Sequence, residues 1–194
     1  QSIEIGNKKD IPWAYNTIAW VYISQGNFAE ALKRCNVALK LAEEINDEFI
    51  LGQIYSNLGI IYESQGNYSD ALKYHFNALK LFERIGTNEA LPFIYNVIGS
   101  VYTKQKKYKE ASLYLNNALS TSIKNGSLEQ IKYSFENRAK LDSAQGNYKS
   151  AFENYKLAIV YRDSIMNKEN SKKTVQQQMQ YDFDKKEAAQ KAEQ

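Results

Sequence analysis

The side chains best able to do chemistry in this 194-residue sequence are its one histidine, His75, and its one cysteine, Cys35. A histidine can move protons near neutral pH and a thiolate can attack electrophiles, but each needs a second polar group to activate or orient it. One histidine leaves no histidine cluster and no histidine-based relay. One cysteine excludes an internal disulfide and any cysteine-based metal site. No GxGxxG, GxxxxGK[ST] or HExxH pattern occurs, so the phosphate-cradling loops and the zinc-binding helix are missing as well. With 25 basic residues interspersed among 22 acidic ones, the net charge of +3 leaves no footprint for a nucleic acid. The expectation is a protein that is not an enzyme, holds no cofactor and does not bind nucleic acid.

The elements that position these residues follow from an internal repeat. Gln25-Gly26-Asn27-Phe28, Gln65-Gly66-Asn67-Tyr68 and Gln145-Gly146-Asn147-Tyr148 are copies of one turn, and Gln105-Lys106-Lys107-Tyr108 is a fourth that has lost its glycine and kept the 40-residue register. Small residues recur at fixed offsets: Ala19, Gly59, Gly99 and Ala139 before the turn, Ala31, Ala71, Ala111 and Ala151 after it, then Ala38, Ala78, Ala118 and Ala158. Two antiparallel helices pack closely only where small side chains stand at the crossing and large ones fill the flanks. The large ones are Tyr15, Tyr55, Tyr95 and Phe135 in one column and Tyr22, Tyr62 and Tyr102 in another. Fixed self-similarity of this kind marks stacked helix pairs.

Leu58-Gly59, Tyr62, Gln65-Gly66-Asn67-Tyr68, Ala71-Leu72 and Ala78-Leu79 together resemble the tetratricopeptide repeat (TPR) family over residues 12–161. The resemblance implies an all-α, right-handed superhelical solenoid of helix-turn-helix repeats. The period departs from the usual unit of about 34 residues, and no proline follows Ala38, Ala78 or Ala118. Six extra residues would lengthen each second helix by about 9 Å. His75 and Cys35 share a column with Leu115 and Tyr155 that in the family faces the helix-packing side, so both are expected to be packed and inert. Glu43 and Glu44 fall on a distal helix, where a solvated face is expected.

Residues 1–10 align with the ends of later second helices, with Gly6 at the place of Asn46 and Gly86. They are expected to close a truncated preceding repeat, the helix ending at Gly6 and the next starting near Ile11 or Pro12. Four repeats follow at about 11–47, 48–87, 88–126 and 127–161, with Asp47, Asn88 and Ser127 at positions that want helix N-caps. In the fourth, Arg138 and Asp142 replace Leu58 and Tyr62 of the second. Their i,i+4 spacing points either to a salt bridge on a more polar end of the stack or to an anion or partner site at Arg138.

Residues 162–194 contain no glycine or proline, so the last helix is expected to continue as a polar extension. Its apolar stripe, Ile165, Val175, Met179 and Phe183, is thin. Such a helix frays, packs on a neighbour or pairs with a second copy to make a homodimer. Arg162-Asp163-Ser164-Ile165, Ser171-Lys172-Lys173 and Tyr181-Asp182-Phe183-Asp184-Lys185-Lys186 resemble the juxtamembrane segment of bacterial TPR-containing sensor kinases and regulators. That resemblance implies the sensor or regulatory, extracytoplasmic part of a membrane-anchored parent protein, though the chain itself has no apolar run of spanning length and no signal-peptide pattern. A soluble scaffold without a membrane partner, or an accessory domain of an enzyme, is the alternative.

Carrying the family's groove positions across, the first helices line a concave groove for a peptide or protein. They contribute Trp13, Asn16, Thr17, Trp20 and Ile23, then Gln53, Ser56, Asn57, Ile60 and Glu63, then Phe93, Asn96, Ser100, Thr103 and Lys104, and finally Tyr133, Glu136, Asn137 and Lys140. In this reading Asn16, Asn57, Asn96 and Asn137 form a column of amides able to bond both the N–H and the C=O of an extended peptide. Trp13 and Trp20 either line the groove or cover a surface left by a preceding repeat, and the amides either bind a peptide or merely solvate the groove. Docking of a chaperone C-terminal carboxylate is excluded, because Asn16 and Trp20, then Phe93 and Val97, stand where that clamp needs its lysine, asparagine and later basic residues.

Overall fold

A computed structural model describes the backbone of residues 2–192 and the side chains of residues 10–181. Eight helices follow one another: α1 (Ser2–Ser24), α2 (Phe28–Glu44), α3 (Glu48–Ser64), α4 (Tyr68–Ile85), α5 (Leu91–Lys104), α6 (Tyr108–Asn125), α7 (Leu128–Ala144) and α8 (Tyr148–Ala192). They pack as four antiparallel pairs, each stacked on the one before, so the protein is an all-α solenoid.

The repeated turn shows how four residues reverse the chain. Gly66 takes φ +76°, a region that disfavours any residue with a Cβ. That conformation lets the Gly66 N–H reach the Glu63 carbonyl at 3.0 Å and the Asn67 N–H reach the Tyr62 carbonyl at 3.0 Å, the paired bonds that close a helix C-terminus. Asn67 then opens the next helix, its Oδ1 accepting the Asp70 N–H at 3.3 Å. One asparagine therefore ends α3 and starts α4. The fourth copy makes the same two bonds, from the Lys106 N–H to Thr103 and the Lys107 N–H to Tyr102, but forces Lys106 to φ +60° and has no side-chain cap.

Within each pair, the small residue on the first helix is matched to the size of what faces it. A Cβ on Gly59 would stand 2.4 Å from the His75 ring, and one on Gly99 would stand 2.6 Å from Leu115. At the same place in the first pair Ala19 meets the smaller Cys35, and all of these are fully buried. The expected packing column is thus real. His75 and Cys35 are parts of the helix crossing.

Four expectations change. The helix does not break at Gly6: α1 runs unbroken from Ser2 to Ser24 with Pro12 inside it, while the side chains of residues 1–9 lie outside the described ones. Asn88 caps nothing; α5 starts at Leu91, where Pro92 suits a first turn, and the Asn88 carbonyl instead accepts from Asn125 Nδ2 at 2.8 Å. Asp47 and Ser127 do cap their helices. Arg138 and Asp142 do not pair, because better-placed partners stand on neighbouring helices. Arg138 Nη1 donates to Asn116 Oδ1, while Asp142 Oδ2 accepts from Ser150 at 2.6 Å and Asn154 at 2.7 Å. Nor is the end of the stack polar, for Tyr148, Phe152 and Tyr155 stand 72%, 61% and 54% exposed on α8. As expected, α8 continues far past the fourth pair, with Val175 and Met179 exposed and Phe183 outside the described side chains.

Candidate partner-binding groove

The first helices α1, α3, α5 and α7 line one side of the stack. Trp13 and Trp20 of α1 project there, 54% and 45% exposed. Trp20 reaches past the second pair, whose equivalents Gln53 and Ile60 are smaller, and meets Phe93 edge-on at 6.2 Å between ring centroids. Phe93 in turn stacks on Tyr133 at 6.1 Å. Three rings from the first, third and fourth repeats thus form one continuous apolar rail, with the separations that aromatic pairs favour.

Two clefts open on either side of this rail. One, of about 510 Å³, lies among Trp13, Thr17, Trp20, Gln53, Ser56 and Phe93. The other, of about 430 Å³, lies among Trp20, Phe93, Tyr133, Arg162, Ile165 and Met166. The second cleft owes one wall to α8, beyond the end of the fourth pair. Sequence reasoning found the tryptophans and Phe93 but missed Ile165 and Met166 as groove residues, because only the curvature of the stack brings α8 across its mouth. Gln130, which touches both clefts, carried no signal either.

The amide column has a different role from the one expected. Asn16, Asn57, Asn96 and Asn137 are 7%, 6%, 0% and 3% exposed, and they bond one another. Asn57 Nδ2 donates to Asn16 Oδ1 at 2.9 Å, and Asn137 Nδ2 donates to Asn96 Oδ1 at 3.3 Å. Asn16 also donates to Gln53 Oε1 at 3.2 Å and Asn96 to Ser134 Oγ at 2.9 Å. Buried amides must be satisfied, and here one repeat satisfies the next. The column is a ladder that ties adjacent repeats together beneath the groove.

Between the two halves of the ladder the link is ionic. Glu63 receives Ser100 Oγ at 3.0 Å and Lys104 Nζ at 3.0 Å, its own side chain 10% exposed. Lys140 Nζ lies 3.4 Å from Asn137 Oδ1, and Glu136 pairs with Lys132 at 3.4 Å. Ile60 is half-buried and Thr103 bonds its own helix through the Gly99 carbonyl, so neither offers the groove a polar group.

Cys35 of α2 and His75 of α4 lie away from this groove. Burial pushes the Cys35 thiol up to about 12, which keeps it protonated. Burial pushes the His75 imidazole down to about 3, and neither ring nitrogen has a hydrogen-bond partner. Burial also raises the Tyr133 phenol. Among the described residues no three histidine, cysteine or acidic side chains converge on a metal position, and no helix is long and apolar enough to cross a membrane.

Comparison with known proteins agrees with this fold. Residues 13–48 and 50–124, together more than half of the chain, match the tetratricopeptide repeat family. No curated protein matches the sequence. Similar solved structures include BtubC (BKLC) from P. vanneervenii, at 21% identity and a TM-score of 0.67 over 81% of this chain and 65% of that one. The signal transduction ATPase with numerous domains from Pyrococcus horikoshii, which has a tetratricopeptide repeat sensor, aligns at 22% identity and a TM-score of 0.65 over 82% of this chain and 25% of that one. Aspartyl phosphate phosphatase F from Bacillus subtilis gives 18% and 0.60 over 78% of this chain and 49% of that one. At such identities the likeness concerns the fold, and the chain spans less than two thirds of each of these proteins. Its paired helices, αL turns and matched small and large columns, together with the family match, establish that this chain belongs to the tetratricopeptide repeat family of protein-interaction modules.

Proposed function

We propose that the aromatic rail is the anchor of a partner-binding groove, and that the partner is a peptide or protein segment presenting apolar side chains to Trp20, Phe93 and Tyr133. The observation that carries this reading is the pair of tryptophans held half exposed beside two apolar clefts on a surface whose amides are already engaged. Exposed aromatic surface of this kind marks interaction sites, and rigid rings supply contact area at little entropic cost. Affinity then comes from side-chain insertion rather than from main-chain bonds to the amides.

The regulatory reading rests on α8. An occupant of the second cleft touches the repeats through Phe93 and Tyr133 and touches α8 through Ile165 and Met166. It can therefore favour one arrangement of α8 over another, provided its affinity differs between them. We infer a sensor or regulatory part of a larger bacterial membrane signalling protein, with the exposed Val175 and Met179 on the far part of α8 pairing chains. The TPR sensor of the P. horikoshii protein supports this by analogy of fold.

Trp13 and Trp20 are the only tryptophans, so intrinsic fluorescence reports on the groove directly. Short random peptides selected on the immobilised chain are expected to shift that emission. Phe93→Ala is expected to weaken the selected peptides by about tenfold or more, as for a central aromatic anchor. Peptides that bind equally well to Phe93→Ala, with no change in emission, would place the groove elsewhere.

A further inference from the structure

A bound segment must satisfy its main chain as well as its anchors. A strand laid in a groove turns its N–H and C=O groups sideways towards the walls, and any that are covered there without a partner lose their bonds to water. The walls here are the helices α1, α3, α5 and α7, whose main-chain groups are engaged inside the helices themselves. Their polar side chains are engaged as well. Asn57 holds Asn16 and Asn137 holds Asn96, Gln53 Oε1 accepts from Asn16, and Thr17 and Thr103 donate to carbonyls of their own helices. Ser56 Oγ and Gln130 Oε1 have no partner, but both atoms are covered. Two such groups on α3 and α7 cannot follow a strand's regular run of donors and acceptors.

Spacing does not choose between a strand and a helix. The rings of Trp20, Phe93 and Tyr133 stand 6.2 and 6.1 Å apart. A helix advances about 6 Å in four residues and a strand about 6.7 Å in two, so either can set one side chain against each ring. The main chain makes the choice. A helix closes its N–H and C=O groups on itself and presents only side chains, which suits walls that offer the main chain nothing.

The groove also carries charge along one flank. Tyr133 and Lys140 are seven residues apart on α7, which is about 10 Å of helix. That is close to the width of about 10–12 Å that a helix occupies with its side chains. Lys104 keeps its side chain 48% exposed beside a Glu63 that is only 10% exposed. Lys140 Nζ has no carboxylate partner among the described residues and lies 3.4 Å from the neutral Asn137 Oδ1. A helix resting on the rings therefore brings one of its flanks over the two ammonium groups.

We infer, with the aromatic rail as the anchor proposed above, that the occupant is an amphipathic α-helix of a partner protein. Its apolar stripe lies on Trp20, Phe93 and Tyr133, and acidic residues on one flank face Lys104 and Lys140. The mutual bonding of the amides is what makes the groove selective for a helix: the same four asparagines, turned outwards, would have served a strand.

Random peptides of about 16 residues, long enough to form a helix, are selected on the immobilised chain and sorted by whether Phe93→Ala weakens them. Those that need Phe93 are expected to gain helix on binding, seen by difference circular dichroism. Alanine scanning is expected to find their losses three and four residues apart. A proline at a central position that the scan shows to be silent is expected to weaken them about a hundredfold, because it breaks the helix. Lys140→Glu is expected to weaken them by about two- to fivefold through the acidic flank. Phe93-dependent peptides that tolerate the proline and show losses at alternate residues overturn the helix and leave the groove in place. Affinities unchanged by Lys140→Glu overturn the acidic flank. A selection that yields no Phe93-dependent peptide removes the groove itself, and the helix with it.

Discussion

Leu58 and Ile18 hold the same position in consecutive repeats, yet one is sealed and the other nearly half exposed. His75 and Tyr155 differ likewise at the other end, the first fully buried and the second open. The middle and the ends of this solenoid are built from one plan, and what separates them is the presence of a neighbour. Burial in a stacked repeat is a property of the interface rather than of the residue. The middle is correspondingly intolerant of changes in volume, while Ile18 and Tyr155 meet less packing among the described residues.

The largest expected break in that contrast is Leu58→Ala. It removes packed atoms from a closed interface and should cost about 2–5 kcal/mol. Ile18→Ala at the matching site should cost under about 1 kcal/mol in the monomer, because much of that side chain already meets water. Urea unfolding of the two variants below any association checks the difference. Equal losses would mean that α1 is covered in the single chain.

Next comes the size match across the helix crossing. Gly59→Ala drives a methyl group into the His75 ring and should cost about 1–3 kcal/mol. Adding His75→Cys rebuilds the Ala19 and Cys35 arrangement of the first pair and should recover most of the loss, whereas two independent sites would simply add. The last pair already holds alanine at this place, opposite the open Tyr155, and shows what the site tolerates when nothing packs above it.

The sequence disclosed this crossing because a size match between two helices of one repeat leaves its mark in two columns with one period. It disclosed the turns for the same reason, and the length of α8 through the lack of glycine or proline. The groove was only half legible. Trp20 and Phe93 stood out by type, but their meeting depends on how the stack bends, which no column records. The amide ladder was misread because a column of asparagines looks the same whether it faces a peptide or the next asparagine. Arg138 and Asp142 were misread because i,i+4 spacing shows which groups can meet and not which compete, and here Asn116, Ser150 and Asn154 win.

A third effect is set by acid. His75 titrates at about 3 when folded against an ordinary 6.5. Below 6.5 the unfolded chain binds a proton that the folded chain refuses, so stability is complete above that pH and falls as the pH drops towards 3. The expected slope is about 1.4 kcal/mol per pH unit. Unfolding curves between pH 7 and 5 should show it, and His75→Leu, which copies Leu115 in the same column, should flatten it. An unchanged slope in that variant would assign the acid sensitivity to other groups.

The smallest effect lies in the one copy of the Gln-Gly-Asn turn that lacks its glycine. Lys106→Gly relieves a left-handed backbone at φ +60° and should stabilise the protein by about 0.5–1 kcal/mol after the added freedom of the unfolded chain is counted. Gly66→Lys should lose a similar amount. Thermal unfolding of both variants sets one turn against the other.

The ladder beneath the groove has a mechanical meaning. Amide bonds fasten the first pair to the second and the third to the fourth, while Glu63, with Ser100 and Lys104, bridges the middle. Neutral hydrogen bonds are little affected by salt, but a partly exposed ion pair is screened by it. Buried packing of Ala78, Phe82, Ile94 and Ile98 holds the middle junction, and its tie on the groove side is expected to weaken as ionic strength rises. Small-angle X-ray scattering is expected to show a spread of curvatures that widens with added salt and that Glu63→Gln widens without it. A shape unchanged by either would make the array a single rigid spring.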